Sequence, residues 1–248
     1  MNGIRYVPSC SRNTRHYDKT DFSLALILHI DTATAIGSVS LSENGVALET
    51  MENIEQRDHA ATVGIFVKTL LERHHRSPKE LDAIAVSAGP GSYTGLRVGA
   101  ATAKGLCYTW NKPLIAISTL QMMASGMQTA YAGEDVYFAP MIDARRMEVF
   151  TAVYNKDLEP VLDPQAMVLE SQSFDPYILV KKTVFFGDGA PKWAVLLGVQ
   201  PNTSFPAYHI SAAHMIPLAE KAFSSKDFED VAYFTPNYLK AFYHPGKK

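Results

Sequence analysis

AIAVSAGPGSYTGLRVGAATAKGLCYTW, residues 83–110, carries the strongest structural pattern in the sequence. An apolar run rich in Val, Ile and Ala ends in a Gly-Pro-Gly-Ser turn at residues 89–92, and a long proline-free segment follows. This pattern predicts a strand, a tight turn and a helix. Pro90 fixes its own φ, Gly91 lets another backbone approach closely, and a hydroxyl side chain of the turn can cap the helix.

The predicted helix has one nearly flat face. Small residues recur every four positions, at Gly95, Gly99, Ala103 and Cys107. An isolated glycine inside a helix costs about 1 kcal/mol relative to alanine, so this face predicts that another backbone packs closely against it. That backbone belongs either to the chain's own sheet or to a helix of another protein.

A glycine-rich turn before a helix can also bind phosphate. The turn at residues 89–92 lacks the Gly-Lys-Ser/Thr of a P-loop, and the sequence contains no Gly-x-Gly-x-x-Gly. Candidate nucleotide or phosphate contacts therefore come from this turn and from the ends of two predicted strands. They are Asp31, Thr32, Gly89, Gly91, Ser92 and Asp143.

The composition is that of an ordinary soluble globular protein. The chain has 248 residues, of which 47% are hydrophobic and 19% charged, and its net charge is -2. This charge argues against a protein that binds nucleic acid through its overall electrostatic field. Two cysteines, Cys10 and Cys107, are too few for a disulfide framework, and no apolar run reaches the ~18 residues of a membrane span. We therefore expect a cytoplasmic protein without a membrane partner.

The order of predicted elements indicates two α/β lobes after an N-terminal tail. Residues 1–24 are basic and lack the apolar core of a secretory signal, so we interpret them as a mobile tail or an upstream start, with a transit peptide as the alternative. The first lobe, residues 25–132, opens with a β-meander, followed by a helix over 58–75 and the central strand-turn-helix. The second and smaller lobe covers residues 133–248 and ends with a helix over 212–223.

The second half of the chain loosely repeats the first. FAPMID at residues 138–143 ends in aspartate as LILHID does at 26–31, and TVFFGDG at 183–189 reaches a glycine turn as AVSAGPG does at 85–91. This correspondence indicates an internal duplication. Two lobes that face each other across a cleft would place both strand-ending aspartates near the inner strand ends, where α/β folds usually bind ligands.

Five motifs between residues 27 and 240 belong to one recognisable set. They read IDTATAIGSVSL, SAGPGSYTGLRVGAATAKGL, PLIAISTL, IDARRMEVF and PNYLK. Together they resemble the TsaB (YeaZ) family of bacterial tRNA-modification proteins. The resemblance implies a two-lobed actin-like or sugar-kinase-like fold, and a role as the non-catalytic partner of a catalytic paralogue, TsaD. With the ATPase TsaE, TsaD places threonylcarbamoyl on the adenosine beside the anticodon of tRNA.

The resemblance also implies how the chain meets its partners. The chain is expected to require no cofactor of its own, whereas the complex uses ATP. The chain is expected to reach tRNA only through that complex. TsaD binds the helices of the first lobe, and a second copy of the chain competes for the same surface as a homodimer. The predicted interface residues are Ala61, Ile65 and Thr69 on the first helix, and Gly95, Gly99, Ala103 and Cys107 on the central helix.

The sequence lacks the motifs that metal-dependent and hydrolytic enzymes use. TsaD holds its metal with a His-x-x-x-His pair, because residues four apart share one face of a helix. This sequence has no such pair, and Ser92 is not part of a Gly-x-Ser-x-Gly nucleophile elbow. We therefore expect neither a metal site nor a hydrolase.

Two enzyme classes remain as alternatives. A kinase or ATPase of the same fold would use Asp31 and Asp143 to hold magnesium-bound phosphate. Two positions further on stand Ala33 and Arg145, where nucleotide-hydrolysing relatives usually have glycine. This difference argues against ATP turnover and leaves turn capping as the other role of the aspartates. The second alternative is a metallopeptidase, a label often attached to relatives of TsaD, and it would require bound zinc.

Overall fold

A computed structural model of the chain describes residues 4–6, 25–53, 59–198 and 200–240. Two mixed β-sheets, one of six strands and one of five, form the centres of two lobes. Among the described residues, no helix is both long enough and apolar enough to span a membrane.

The first lobe contains most of the elements predicted for it. They are β1 (Ile4–Tyr6), β2 (Leu26–Asp31), β3 (Gly37–Glu43), β4 (Val46–Asn53), α1 (His59–Arg73), β5 (Ala83–Ser87), α2 (Tyr93–Trp110), β6 (Leu114–Ile117) and α3 (Thr119–Gln128). The strand order is β1-β4-β3-β2-β5-β6, with β2 to β4 as an antiparallel meander and β5 and β6 parallel to β2.

The second lobe repeats this plan. Its elements, with those that follow it, are β7 (Tyr137–Asp143), β8 (Glu148–Tyr154), β9 (Pro160–Val168), α4 (Asp175–Ile178), β10 (Thr183–Phe186), α5 (Ala190–Leu197), β11 (Thr203–Ser204) and α6 (Ile216–Ser225). Its strand order, β9-β8-β7-β10-β11, matches β4-β3-β2-β5-β6 of the first lobe position by position. The shared order confirms the internal duplication and the predicted two-lobed α/β class.

Alternation along the strands explains where the first lobe's core lies. Leu28 and Ile30 of β2 point to the face that α1 and α2 cover, whereas Ile27 points to the opposite face. The predicted apolar stripe of α1, which includes Phe66 and Leu70, is buried on the same face as Leu28. The two helices therefore present their remaining faces outward.

After the second sheet the chain returns to the first lobe. A 3-10 turn at Ala212–Met215 contacts β2 and β3, and α6 contacts β6. The helix predicted over 212–223 is thus split, because Pro217 begins a new helix within its first turn. Further along, Glu229 pairs with Leu114, and Phe234 is buried in the first lobe's core. The boundary at residues 132 and 133 separates the two sheets but does not separate two independent units.

Part of the segment interpreted as a tail belongs to the first sheet. Ile4–Tyr6 pairs antiparallel with residues 51–53 of β4. A strand edge offers free amide and carbonyl groups, and these three residues pair with that edge. The interpretation of residues 1–24 as a mobile tail is therefore corrected for β1, while the rest of the segment lies outside the described residues.

Candidate functional site

The N-terminal end of α2 packs directly on the end of β2. The buried Thr32 hydroxyl donates a hydrogen bond to the Gly95 carbonyl oxygen at 2.7 Å, and the Ser92 amide donates to the Ala33 carbonyl oxygen at 2.7 Å. A Cβ at Gly91 would clash with the Ala33 carbonyl oxygen, and one at Gly95 would clash with the Thr32 carbonyl oxygen. Glycine is required at both positions because two backbones meet there.

The small-residue face of α2 is turned toward the chain's own sheet. A Cβ at Gly99 would clash with the Thr32 hydroxyl and lie against Val86 of β5. Gly95, Gly99, Ala103 and Cys107 are all buried in the first lobe. Their assignment to a partner surface is therefore corrected: the close backbone predicted by the spacing is that of the same chain. The thiol of Cys107 is buried as well, which raises its pKa to about 12.

Asp31 closes the turn that follows β2. Its Oδ1 accepts the Ala33 amide at 3.0 Å, and the whole residue is buried. Burial, and then the negative charge of Asp31, raises the pKa of the Tyr208 hydroxyl. Asp31 therefore has the turn-capping contact that the sequence suggested as an alternative to metal binding.

Asp143 lies at the matching position of the second lobe and is paired with a lysine. Its Oδ1 lies 2.6 Å from Lys192 Nζ of α5 and accepts the Arg145 amide at 2.5 Å. Partial burial acts to raise the pKa of Asp143, but these two hydrogen bonds outweigh it, and the pKa lies below its ordinary value. Lys192 thus neutralises the carboxylate at the position where an active kinase would hold magnesium.

A cavity of about 790 Å³ separates these two strand ends. From the first lobe it is lined by the start of α2, and from the second by the turn between β7 and β8. Of the predicted contacts, Gly91, Ser92 and Asp143 line it. Gly89 does not: its amide donates to the Thr119 hydroxyl at 3.2 Å. Asp31 and Thr32 are buried and do not line the cavity.

Two further charged residues, neither of them among the predicted contacts, also line this cavity. They are Arg145, which is exposed, and Asp188, whose carboxylate accepts the Asp143 amide at 2.9 Å. Burial raises the pKa of Asp188 despite that hydrogen bond. For Asp188 the available signal was the Gly-Asp-Gly of TVFFGDG, because Asp188 lies just beyond the end of β10 and Asp143 ends the neighbouring strand β7. In the part of the chain that the structure describes, no three His, Cys, Asp or Glu side chains gather as metal ligands.

The outward faces of α1 and α2 form a second candidate surface, which we call the α1–α2 face. Ile65 is 61% exposed and Tyr108 is 87% exposed. Among the described residues, no atom other than those of the glycine, its chain neighbours and its own helix backbone lies within 4 Å of the position that a Cβ would occupy on Gly64 or Gly105. Among the predicted interface residues, Ala61 and Ile65 are exposed and Thr69 is half-buried, so their role in binding stays a prediction.

Comparison with known proteins identifies the family. A family model described as TsaD, tRNA N6-adenosine threonylcarbamoyltransferase, matches residues 50–238. The chain is 31% identical over 226 residues to the tRNA threonylcarbamoyladenosine biosynthesis protein TsaB of Escherichia coli (strain K12), covering 86% of this chain and 94% of that protein. The chain belongs to the TsaB (YeaZ) family.

Other TsaB family members agree with this assignment. The TsaB protein of Bacillus subtilis (strain 168) is 34% identical over 147 residues, covering 58% of this chain and 62% of that protein. The solved structure of YeaZ from Pseudomonas aeruginosa has a TM-score of 0.74 at 26% identity, covering 87% of this chain and 100% of that one. The resemblance predicted from the five motifs is thus confirmed.

Proposed function

We propose that this chain is the non-catalytic partner subunit in the synthesis of threonylcarbamoyladenosine in tRNA. It binds and activates the catalytic paralogue TsaD, acts with the ATPase TsaE, and reaches tRNA only through the complex. It works in the cytoplasm and requires no cofactor of its own, while the complex uses ATP. The α1–α2 face is the observation that carries this proposal.

The α1–α2 face has the composition of a helix-packing surface. Gly64 and Gly105 each weaken their helix by about 1 kcal/mol relative to alanine, and the chain's own described atoms leave the space beside them open. A close helix of a second protein would use that space, because small residues let two helices approach. Exposed Ile65 and Tyr108 would then be buried, as the side chains at the centre of an interface are. Two partner helices against α1 and α2 would complete a four-helix bundle.

The cleft supports a non-catalytic role. A magnesium-dependent phosphoryl transfer needs a free carboxylate beside the phosphates, whereas Asp143 is held by Lys192 and by the amide of its own turn. Asp31 is buried and directed to the Ala33 amide. Both aspartates have structural contacts that explain their presence.

Replacing Ile65 by glutamate tests the proposal. Ile65 is exposed, so Ile65→Glu should leave the thermal unfolding of the isolated chain unchanged. In the complex it would bury an unpaired charge, and we expect the affinity for TsaD, measured by calorimetry, to fall at least tenfold. Reconstituted tRNA modification with TsaD, TsaE and threonylcarbamoyl-adenylate should fall accordingly.

Val195→Glu is the matched control, since Val195 is 86% exposed on α5 of the other lobe. It introduces the same charge and should change neither affinity nor modification. If Ile65→Glu binds TsaD normally, the α1–α2 face is not the docking surface. If the complex modifies tRNA equally well without this chain, the proposed function itself is wrong. Sedimentation of the free chain would report whether a second copy occupies the same face.

The cavity between the lobes allows a test of one alternative function, that of a kinase or ATPase. A volume of about 790 Å³ can hold a nucleotide. From the pairing of Asp143 we expect the purified chain to hydrolyse ATP no faster than buffer does. Hydrolysis that Asp31→Asn abolishes would favour the enzyme over the partner subunit.

A further inference from the structure

Residues 235–240, which we call the C-terminal strap, run from the first lobe to the second. The Asn237 amide donates to the Ala88 carbonyl oxygen at 2.7 Å, which fixes the strap beside the turn that follows β5. The Tyr238 ring packs on the Tyr93 ring of α2 with 4.8 Å between centroids. At the other end, Lys240 forms an ion pair with Glu148 of β8. One short segment therefore contacts both lobes.

The first lobe is shaped to receive the strap. Gly89 has a φ of 102°, and a Cβ there would clash with the Asn237 carbonyl oxygen. The Arg97 guanidinium lies 4.1 Å from the centre of the Tyr93 ring and hydrogen-bonds to Tyr238. The glycine of the turn and the cation on α2 thus both hold the strap, which accounts for Gly89 independently of any phosphate.

The second-lobe contact lies at the base of the hairpin that lines the cleft. Glu148 begins β8, and its backbone carbonyl oxygen accepts a long hydrogen bond of 3.5 Å from Lys192. Lys192 also holds Asp143, and both Asp143 and Tyr93 line the cavity. One attachment point of the strap, Tyr93, therefore lies in one wall of the cavity, and the other, Glu148, is linked through Lys192 to Asp143 in the opposite wall.

We propose that the C-terminal strap is a reversible clasp that sets the opening of the cleft between the two lobes. The Lys240 side chain is 53% exposed and the Glu148 side chain 19% exposed, so solvent screens this ion pair on the lysine side and little free energy is needed to release it. When the Lys240–Glu148 ion pair breaks, the apolar core around α3 still joins the two lobes. This core acts as the hinge between them. Release frees the second lobe to swing away from α2. The clasp belongs to the isolated chain and does not depend on TsaD.

Distance measurement between the lobes tests the clasp. Spin labels at Lys79→Cys and Gln172→Cys, both on exposed positions of different lobes, in a Cys10→Ser background, report the separation by double electron-electron resonance. We expect one narrow distance in the parent chain. Lys240→Glu places two carboxylates together, and we expect the ratio of open to closed molecules to rise about fivefold, the range of a partly exposed ion pair.

Three further variants decide the outcome. The charge exchange Lys240→Glu with Glu148→Lys should restore the narrow distance, and a chain ending at Thr235 should be at least as open as Lys240→Glu. Lys226→Glu, an equal charge change at the exposed end of α6, should leave the distance unchanged. An unchanged distance in the shortened chain, with circular dichroism that shows it folded, would overturn the clasp. So would equal opening in Lys226→Glu, because the effect would then come from net charge.

Discussion

Gly95→Ala is expected to destabilise the fold by about 3 kcal/mol, whereas Gly105→Ala, ten residues later in the same helix, should stabilise it by about 1 kcal/mol. The two substitutions add the same methyl group to the same helix. At Gly95 the methyl would clash with the Thr32 carbonyl oxygen, part of a buried backbone that cannot move aside. At Gly105 it enters open space.

The destabilisation at Gly95 has a specific cause. To admit the methyl group, α2 must move away from β2 and break the 2.7 Å hydrogen bond from Thr32 to the Gly95 carbonyl oxygen. That movement also loosens Ala100 and Ala103, which are buried on the same sheet. Loss of packing and loss of a buried hydrogen bond add to the steric cost.

Urea unfolding of the isolated chain measures both changes. We expect the unfolding midpoint to move down for Gly95→Ala and up for Gly105→Ala, with the same dependence on urea concentration. If both variants move in the same direction, helix propensity dominates and the close contact between α2 and β2 is not as tight as described. The comparison needs no partner protein, so it is independent of the proposed function.

The contrast between Gly95 and Gly105 shows which part of the packing of α2 could be predicted from the sequence and which could not. Spacing alone predicted a flat face on α2 and a close backbone, and both are present. It could not say whose backbone it was, because the period of a helix specifies a face without naming what covers it. The chain's own β2 covers the small-residue face, and the face available to a partner is the opposite one, with Gly105 and Tyr108.

Most strands followed from local pattern, and the exceptions have physical reasons. Buried runs ending in aspartate gave β2 and β7. β9 was missed because it is a half-exposed edge strand with prolines at residues 160 and 164, and edge strands alone tolerate proline there. β11 has two residues, too few to show the alternation of apolar and polar side chains that predicts a strand.

The candidate site was predicted only in part, because its contacts join distant segments. Asp143 was visible at a strand end, but its partner Lys192 lies 49 residues later and carries no motif. The strap contacts are further apart still, since Lys240 lies 92 residues after Glu148. Local periodicity carries no information on such pairs, so the pairing that argues against catalysis emerged only from the fold.

Acidification from pH 7 to pH 5 is expected to remove about 4 kcal/mol of stability through two buried histidines. Burial lowers the pKa of His29 to about 3 and that of His214 to about 4, with smaller and opposing contributions from Glu52 and His209 at His214. In the unfolded chain both titrate near 6.5. Below that pH the unfolded state binds more protons than the folded state, so stability is complete above about pH 6.5 and is lost as the pH falls toward 4.

The structure explains why the folded state resists protonation of both histidines. His29 is wholly buried in β2, and its Nε2 lies 2.7 Å from the Ser42 hydroxyl. The His214 ring lies against Gly126 of α3, and its Nδ1 lies 2.8 Å from the Tyr208 hydroxyl. Among the described residues no carboxylate is hydrogen-bonded to either ring to compensate a charged imidazolium, so the folded state binds these protons only at a much lower pH than the unfolded chain does.

The slope of unfolding free energy against pH isolates this effect from overall destabilisation. Each histidine contributes about 1.2 kcal/mol per pH unit between pH 6 and 5, so His29→Gln and His214→Gln should each reduce the slope by that amount, and the double variant by twice as much. Ile27→Val, a neighbouring core change without a titrating group, should lower stability and leave the slope intact. A slope that the histidine variants leave unchanged would assign the acid sensitivity to carboxylates, because only a group that exchanges protons on unfolding can alter it.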